Sequence, residues 1–285
     1  MSDQGTHGDF AAQQRDQWRR AAAGWRKWAR LFAQRDDSER YLEAGSIAEG
    51  QSVLEVGAGT GDQTLALAER VGPRGRVVAS DVSAEMLAVA EERVTAAGFD
   101  NVEFHVAAAT DLDLGTARFD AAVSGFTLML VPDPVAAASR VAQLLAPGAP
   151  FVASVWGPPP KVPMLGAAMA TIIRELDMEP PNPEGPGLFA LAQPDRFRGV
   201  FDAADLNDVS VTPFAMRMTF PSSETYAEFT RDVAVVISDL VRQRAPERTQ
   251  EIWTQVAAAV QDRAADDGSV AFDNEALMGL GYNHA

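Results

Sequence analysis

The sequence predicts an α/β protein built on a parallel β-sheet with helices on both faces. Short apolar runs carrying β-branched residues recur between Ser52 and Trp156, and stretches of helical periodicity separate them. Glycine- and proline-rich turns mark the joints. Strands and helices alternating at this spacing pack as a parallel sheet covered on both sides. Ligands of such sheets bind beyond the carboxyl ends of the strands. The loops after Val56, Ser80, Val106, Val123 and Val155 are therefore expected to converge on one crevice.

From Asp9 to about Ala33 the chain reads as an amphipathic helix. Trp18, Trp25, Trp28 and Phe32 follow one another at seven, three and four residues, which places them on one face. That face either docks the helix on the main domain or helps to cover an active site. Ser52 to Val56 is the first strand, and it ends in the cluster Gly57-Ala58-Gly59-Thr60-Gly61. Asp62 to Val71 is helical, Gly72 to Gly75 is a turn, and Arg76 to Ser80 is a second buried strand closed by Asp81. Ser83 is placed to cap a helix from Ala84 to about Ala97, with Gly98 at its stop. Val102 to Val106 is a third strand, Phe119 to Val123 a fourth, Pro134 to Leu145 a helix and Phe151 to Trp156 a fifth strand.

After Trp156 the composition changes. Gly157 to Pro160 and Pro180 to Gly187 bracket a short helix from about Pro163 to Leu176, which reads as a loop-rich insertion. Asp195 to Ala204 is helical, and Asp208 to Phe220 is extended with an interruption at Pro213. Two amphipathic helices follow, one carrying Tyr226, Phe229, Val233, Ile237 and Leu240, the other Trp253, Val256 and Val260. Glu275 to Tyr282 reads as the last strand. The expected organisation is a helical lid (1–48), a ligand-binding core (49–156), an insertion with further core elements (157–221), a helical cap (222–266) and a last core strand with its tail (267–285).

At 285 residues the chain suits one large domain with a helical elaboration, or two small domains. No apolar run reaches the roughly 18 residues of a membrane span, and Met1 to Gln14 lacks an apolar signal core, so a cytoplasmic enzyme is expected. The absence of cysteine excludes disulfides, thiolate metal sites and cysteine nucleophiles. Lys and Arg number 24 against 40 Asp and Glu, a net charge of −16 that repels nucleic acid. The basic run Arg15, Arg19, Arg20, Arg26, Lys27, Arg30 and Arg35 reads as a solvated helix face paired with the acidic body. A small-molecule partner is expected, with neither nucleic acid nor membrane, and the oligomeric state, monomer or homodimer, stays open.

The segment Val53 to Gly61 carries the strongest functional signal. Its glycines permit positive φ and close backbone approach to a ligand. The spacing is Gly-x-Gly-x-Gly, whereas the dinucleotide fingerprint is Gly-x-Gly-x-x-Gly. Glu55, two residues before the first glycine, suits a ligand carrying an ammonium group and would repel a pyrophosphate. Asp81 can accept hydrogen bonds from the two hydroxyls of a ribose, a device shared by several adenosine-binding families. A nicotinamide-dependent oxidoreductase is thus the alternative that the glycine spacing and Glu55 disfavour.

Four segments in order, Val53–Gly61, Val77–Leu87, Phe119–Ser124 and Leu145–Trp156, resemble the class I S-adenosylmethionine-dependent methyltransferases, in the broad bacterial group similar to quinone-biosynthesis C-methyltransferases. The resemblance implies a Rossmann-like, doubly wound sheet of seven strands with the last strand antiparallel, and S-adenosylmethionine as cofactor, released as S-adenosylhomocysteine. It further implies that Gly57, Ala58 and Gly59 line the methionine part and that Asp81 holds the ribose. Val82 and Met86 would flank the adenine, and Ser124 would offer its backbone carbonyl to the ammonium. The family usually places an acid for the adenine amine after the third strand. Here that position is Ala108, which leaves backbone groups near Ala109, or Asp111 in a shifted register.

Methyl transfer is an in-line displacement that needs positioning and an apolar pocket more than it needs a base. No base stands out: His105 reads as packing within its strand, His7 and His284 fall in the tails, and Tyr41, Tyr226 and Tyr282 take no evident place. Ser124 to Met129 lacks the Pro-Pro-aromatic motif of nucleic-acid and amide N-methyltransferases and lacks the acid of metal-dependent enzymes, so no metal is expected. A pocket formed by Trp25, Trp28, Phe126, Met129 and Trp156 fits an apolar or aromatic acceptor, such as a polyketide or quinone precursor, with methylation at carbon or oxygen favoured. A catalytically silent cofactor-binding protein is the second alternative.

Overall fold

The computed structural model describes residues 3–32, 37–179 and 187–284. Ala33, Arg35 and the proline-rich run 180–186 lie outside the described residues. The chain opens with α1 (Asp3–Lys27), a short α2 (Ala29–Phe32) and α3 (Asp37–Ala44). The core then alternates β1 (Ser52–Val56), α4 (Asp62–Val71), β2 (Arg76–Asp81), α5 (Ala84–Ala96), β3 (Val102–Val106), β4 (Ala121–Gly125), α6 (Pro134–Leu144) and β5 (Pro150–Trp156). Two helices follow, α7 (Pro163–Glu175) and α8 (Pro194–Ala203), and then β6 (Asn207–Phe220). The helices α9 (Ser223–Val233), α10 (Val235–Arg244) and α11 (Thr249–Ala258) precede β7 (Val270–Tyr282).

The seven strands form one sheet in the order β3-β2-β1-β4-β5-β7-β6. The first five run parallel, and β7 pairs antiparallel with both β5 and β6. This is the doubly wound sheet with an antiparallel last strand that the sequence predicted. Chain order reverses between β1 and β4, so the crevice for a ligand opens at their carboxyl ends. Period-two alternation splits the strands between two faces. Val53, Val77, Val123 and Val152 pack with Tyr41, Leu42 and Leu67 of α3 and α4. Leu54, Val78, Ala122, Phe151 and Val155 join the larger core beneath α6, α7, α8 and the cap helices.

Several boundaries differ from expectation for physical reasons. Pro213 does not interrupt β6, which runs 14 residues and pairs Pro213 with Leu277. The strand lies at the edge of the sheet, where a residue without an N–H is tolerated. The last strand begins at Val270 instead of Glu275, because β6 is long enough to pair with it from Phe220 back to Asn207. The fourth strand lies at Ala121–Gly125, and Phe119 makes only a bridge to Leu145. The expected helix through Tyr226 and Leu240 is two helices broken at Ala234 (φ −96°, ψ 63°), next to a β-branched run from Val235 to Ile237. The N-terminal helix is likewise interrupted at Trp28, whose indole N–H donates to Asp232 at 3.1 Å.

α1 bridges the core and the cap. Trp25 stacks on Phe32 at 4.5 Å, and Phe32 and Trp28 both meet Phe229 of α9, at 5.6 and 5.7 Å. Each such aromatic pair adds about 0.5–1.5 kcal/mol beyond its burial. On its other flank, α1 lays Ala21 and Ala22 against Met86 of α5. Three members of the basic run pair with acids elsewhere in the chain as expected: Arg26 with Glu92, Lys27 with Glu228 and Asp232, and Arg20 with Asp239. No described helix is long and apolar enough to cross a membrane.

Candidate active site

The glycine loop between β1 and α4 is built by backbone constraint. Gly57, Gly59 and Gly61 all take positive φ, at 77°, 55° and 83°. A Cβ on Gly57 would lie 2.0 Å from Thr127 Oγ1, and one on Gly61 would lie 2.8 Å from Ala90 Cβ. A Cβ on Gly59 would meet no atom within 4 Å. Gly57 and Gly61 thus leave no room for a side chain, and a Cβ on Gly59 would enter open space. The N–H groups of Gly57 and Ala58 donate to the Ser80 carbonyl at 2.8 and 3.0 Å, which locks the loop to β2.

Asp81 closes β2 at the next corner of the crevice. Its Oδ2 accepts from Gly59 N at 2.9 Å and its Oδ1 from Ser83 N at 2.9 Å. Burial raises its carboxyl, and these backbone donors oppose the rise. Each oxygen keeps a further lone pair, which suits the two hydroxyls of a ribose. Ser83 caps α5 by accepting from Met86 N, as expected, and Met86 is buried one turn on, past the half-buried Val82. Ala107 N donates to the Asp81 carbonyl at 2.9 Å, which brings Ala108 and Ala109 to the same edge.

Glu55 takes a different posture from a ligand-facing acid. It is 2% exposed, and its Oε2 accepts from Thr64 Oγ1 of α4 at 2.6 Å. Burial pushes its carboxyl up to about 8. The arrangement ties the end of β1 to the first turn of α4, with the loop held between. Ser124 is fully buried, and its hydroxyl donates to the Val56 carbonyl at 3.0 Å, tying β4 to β1 at the switch point.

The expected pocket residues divide into two groups. Phe126 and Trp156 meet at 4.5 Å beyond the ends of β4 and β5. Phe126 holds φ at 54°, uncommon for a bulky residue, and its N–H donates to the Ser154 carbonyl at 3.0 Å. Trp25 and Trp28 belong to the seam between α1 and the cap, and Met129 is 2% exposed within the core. Trp25 Nε1 is buried and meets no acceptor among the described residues.

The histidines stand elsewhere. His105 does not pack within β3 as expected, because β3 is a sheet edge: its side chain is 41% exposed beside Glu103 at 3.9 Å. His284 lies against Asn207 and Asp205 at the far end of the sheet, and His7 is on α1. Tyr226 donates from its hydroxyl to the Met164 carbonyl, a structural bond that joins cap to insertion. Among the described residues, no group of three or more His, Cys, Asp or Glu could hold a metal ion.

Sequence reasoning missed the braces behind the site. Thr127 donates to the Gly125 carbonyl at 3.1 Å and walls the back of Gly57. Arg93 of α5 donates to the Thr60 carbonyl at 2.5 Å and to Asp62 at 2.7 Å, clamping the loop from the side. Tyr41 of α3 shares a hydrogen bond with Ser154, whose hydroxyl also accepts from Phe126 N at 3.3 Å. These partners are distant in sequence, and no local motif marks them.

Comparison with known proteins agrees with this geometry. A methyltransferase domain family matches residues 53–148, from the glycine loop to the turn before β5. The demethylmenaquinone methyltransferase of Geobacillus stearothermophilus is 31% identical over 184 residues, covering 59% of this chain and 76% of that protein. The enzyme of the same name from Bacillus pumilus is 28% identical over 191 residues, 62% of this chain and 79% of its own length. Among solved structures, the YcgJ protein of Bacillus subtilis superposes with a TM-score of 0.57 at 16% identity, over 87% of this chain and 98% of its own, a likeness of fold. A glycine loop after β1, an acid closing β2, the family match and relatives covered over 79% and 76% of their length leave one assignment: the chain belongs to the class I S-adenosylmethionine-dependent methyltransferases, related to the enzymes of quinone biosynthesis.

Proposed function

We propose that this methyltransferase acts on a small, apolar or aromatic acceptor and methylates carbon or oxygen. The observation that carries the reading is the aromatic wall of Phe126 and Trp156, 4.5 Å apart beyond the ends of β4 and β5. The demethylmenaquinones named for its relatives are acceptors of this kind, flat and apolar with polar oxygens at the rim.

In this reading Gly57, Ala58 and Gly59 line the methionine part of the cofactor, Asp81 takes the ribose, and Val82 and Met86 flank the adenine, with Ala108 and Ala109 at its edge. Ser124 presents its carbonyl to the ammonium, and Glu55 acts by bracing the loop. Bound S-adenosylmethionine supplies an electrophilic methyl on a sulfonium that departs as a neutral thioether. The chain holds donor and acceptor in line, an effect worth up to about 7–11 kcal/mol, and its apolar wall excludes water.

The test is a panel of acceptors incubated with methyl-labelled S-adenosylmethionine, read by mass spectrometry. Reduced quinones and phenols should take the label at carbon or oxygen. Trp156→Ala should raise the acceptor KM about ten-fold or more, as loss of a buried aromatic contact does, while binding of S-adenosylhomocysteine stays within two-fold. Efficient turnover of a highly polar acceptor, insensitive to Trp156, would overturn the proposal.

A further inference from the structure

We propose that Gln14 of the N-terminal helix reads the adenine ring of the cofactor, replacing the acid that is absent after β3. The loop there carries only methyl groups at the expected place, Ala107-Ala108-Ala109. Asp111 is no substitute: its N–H closes a turn onto the Ala108 carbonyl at 2.9 Å, and its side chain is exposed. An adenine amine that has lost water must still find an acceptor, or the site forfeits the affinity.

The element lying over that subsite is α1. Gln14, Trp18, Ala21, Ala22 and Trp25 fall at i, i+4, i+7, i+8 and i+11, a single helical face. Ala21 and Ala22, with Trp18 and Trp25 around them, pack on Met86, the residue assigned to flank the adenine. One and two turns earlier on that face, Gln14 Nε2 donates to the Leu130 carbonyl at 2.6 Å. Leu130 ends the turn that follows β4, so the bond ties this helix to a loop at the carboxyl end of the sheet.

The chemistry of that carboxamide fits adenine. One amide hydrogen is committed to Leu130, which leaves Oε1 as an acceptor and the second hydrogen as a donor. Adenine offers the complement, an exocyclic amine beside a ring nitrogen acceptor, the pairing by which glutamine reads adenine in nucleic acids. The bond to Leu130 also fixes the orientation, because a flipped amide would set Oε1 against the Leu130 carbonyl. Hypoxanthine keeps the ring acceptor but presents a carbonyl in place of the amine, which sets oxygen against Oε1. The lid is thereby part of cofactor recognition as well as a cover.

The experiment is calorimetric titration of the full chain with S-adenosylhomocysteine and with its deaminated analogue, S-inosylhomocysteine, using wild type, Gln14→Ala and Gln14→Glu. Wild type should prefer the adenine form by about ten-fold, the worth of one hydrogen bond in a desolvated site. Gln14→Ala should lose that preference by weakening only the adenine form. Gln14→Glu, which keeps an acceptor but cannot donate to Leu130, should retain it. Equal weakening of both ligands in both variants would show that the carboxamide merely latches the lid, and would overturn the proposal, as would no change in either. The proposal rests on the cofactor site described above; wild type binding neither ligand would strike that site itself.

Discussion

Alanine at Gly59 and alanine at Gly57 should fail in opposite ways. Both positions hold positive φ, 55° and 77°, where an L-residue costs about 1–2 kcal/mol. At Gly59 the new methyl meets no atom within 4 Å, so strain is the whole stability cost. In a chain of this size that lowers the melting temperature by roughly 2–8 °C. The same methyl projects into the crevice where the cofactor must approach the backbone, so Gly59→Ala should lose at least ten-fold in affinity for S-adenosylhomocysteine, a cost of about 1.4 kcal/mol or more. At Gly57 the methyl would lie 2.0 Å from Thr127 Oγ1, 2.5 Å from its Cγ2 and 2.7 Å from its Cβ. Overpacking of this kind adds about 1–3 kcal/mol to the strain, for a total of roughly 2–5 kcal/mol. Gly57→Ala should thus be the less stable protein, and Thr127→Ala in the same chain should recover part of the loss. Thermal unfolding and calorimetric titration on the two variants decide the matter. A Gly59→Ala protein that binds like wild type would refute the assignment of the loop, and equal stability of the two variants would refute the packing argument.

Two further outcomes follow from the same geometry. Burial raises Glu55 from a carboxyl's ordinary 4.5 to about 8, so the folded chain holds this proton more tightly than the unfolded chain. The stability it lends is complete below about pH 4.5 and is lost as pH climbs through 8. Glu55→Gln should flatten that decline in melting temperature, leaving the contribution of Asp81, whose carboxyl is also raised; an unchanged profile would mean that Glu55 is already ionised in the fold. Phe229 is 5% exposed and touches Phe32, Trp28 and Phe220 at 5.6, 5.7 and 5.1 Å. Phe229→Ala should cost about 3–5 kcal/mol in denaturant unfolding, and a loss below about 1 kcal/mol would show that α1 and the cap do not share a core.

What the sequence made legible was local. The boundaries of β1, α4 and β3 are written in apolar runs and helical spacing, and Ser83 announced α5 because a cap acts within one turn. The glycine loop and Asp81 were legible for the same reason, since positive φ and a terminal acid are properties of a few adjacent residues. Errors arose where a distant partner overrides local preference. Pro213 is harmless only because β6 lies on the sheet edge, a matter of topology. The break at Trp28 comes with an indole bond to Asp232, some two hundred residues away, which no local motif displays. The aromatic stripe of α1 left two readings open, docking or cover, and the structure shows that they need not exclude one another: a helix that packs Trp25 on Phe32 also lays Ala21 and Ala22 on Met86.

The same logic bears on the missing acid. A sequence can display an absence, as Ala108 does, but it cannot say which segment lies across the gap. That depends on how α1 is seated, tied by Arg26 to Glu92 of α5 at one end and by Gln14 to Leu130, after β4, at the other. Two ties roughly three turns apart fix the rotation of the helix as well as its position, so the face from Gln14 to Trp25 cannot turn away without breaking one of them. A binding function shed by a loop can therefore pass to a lid, provided the lid is held in register by contacts of its own.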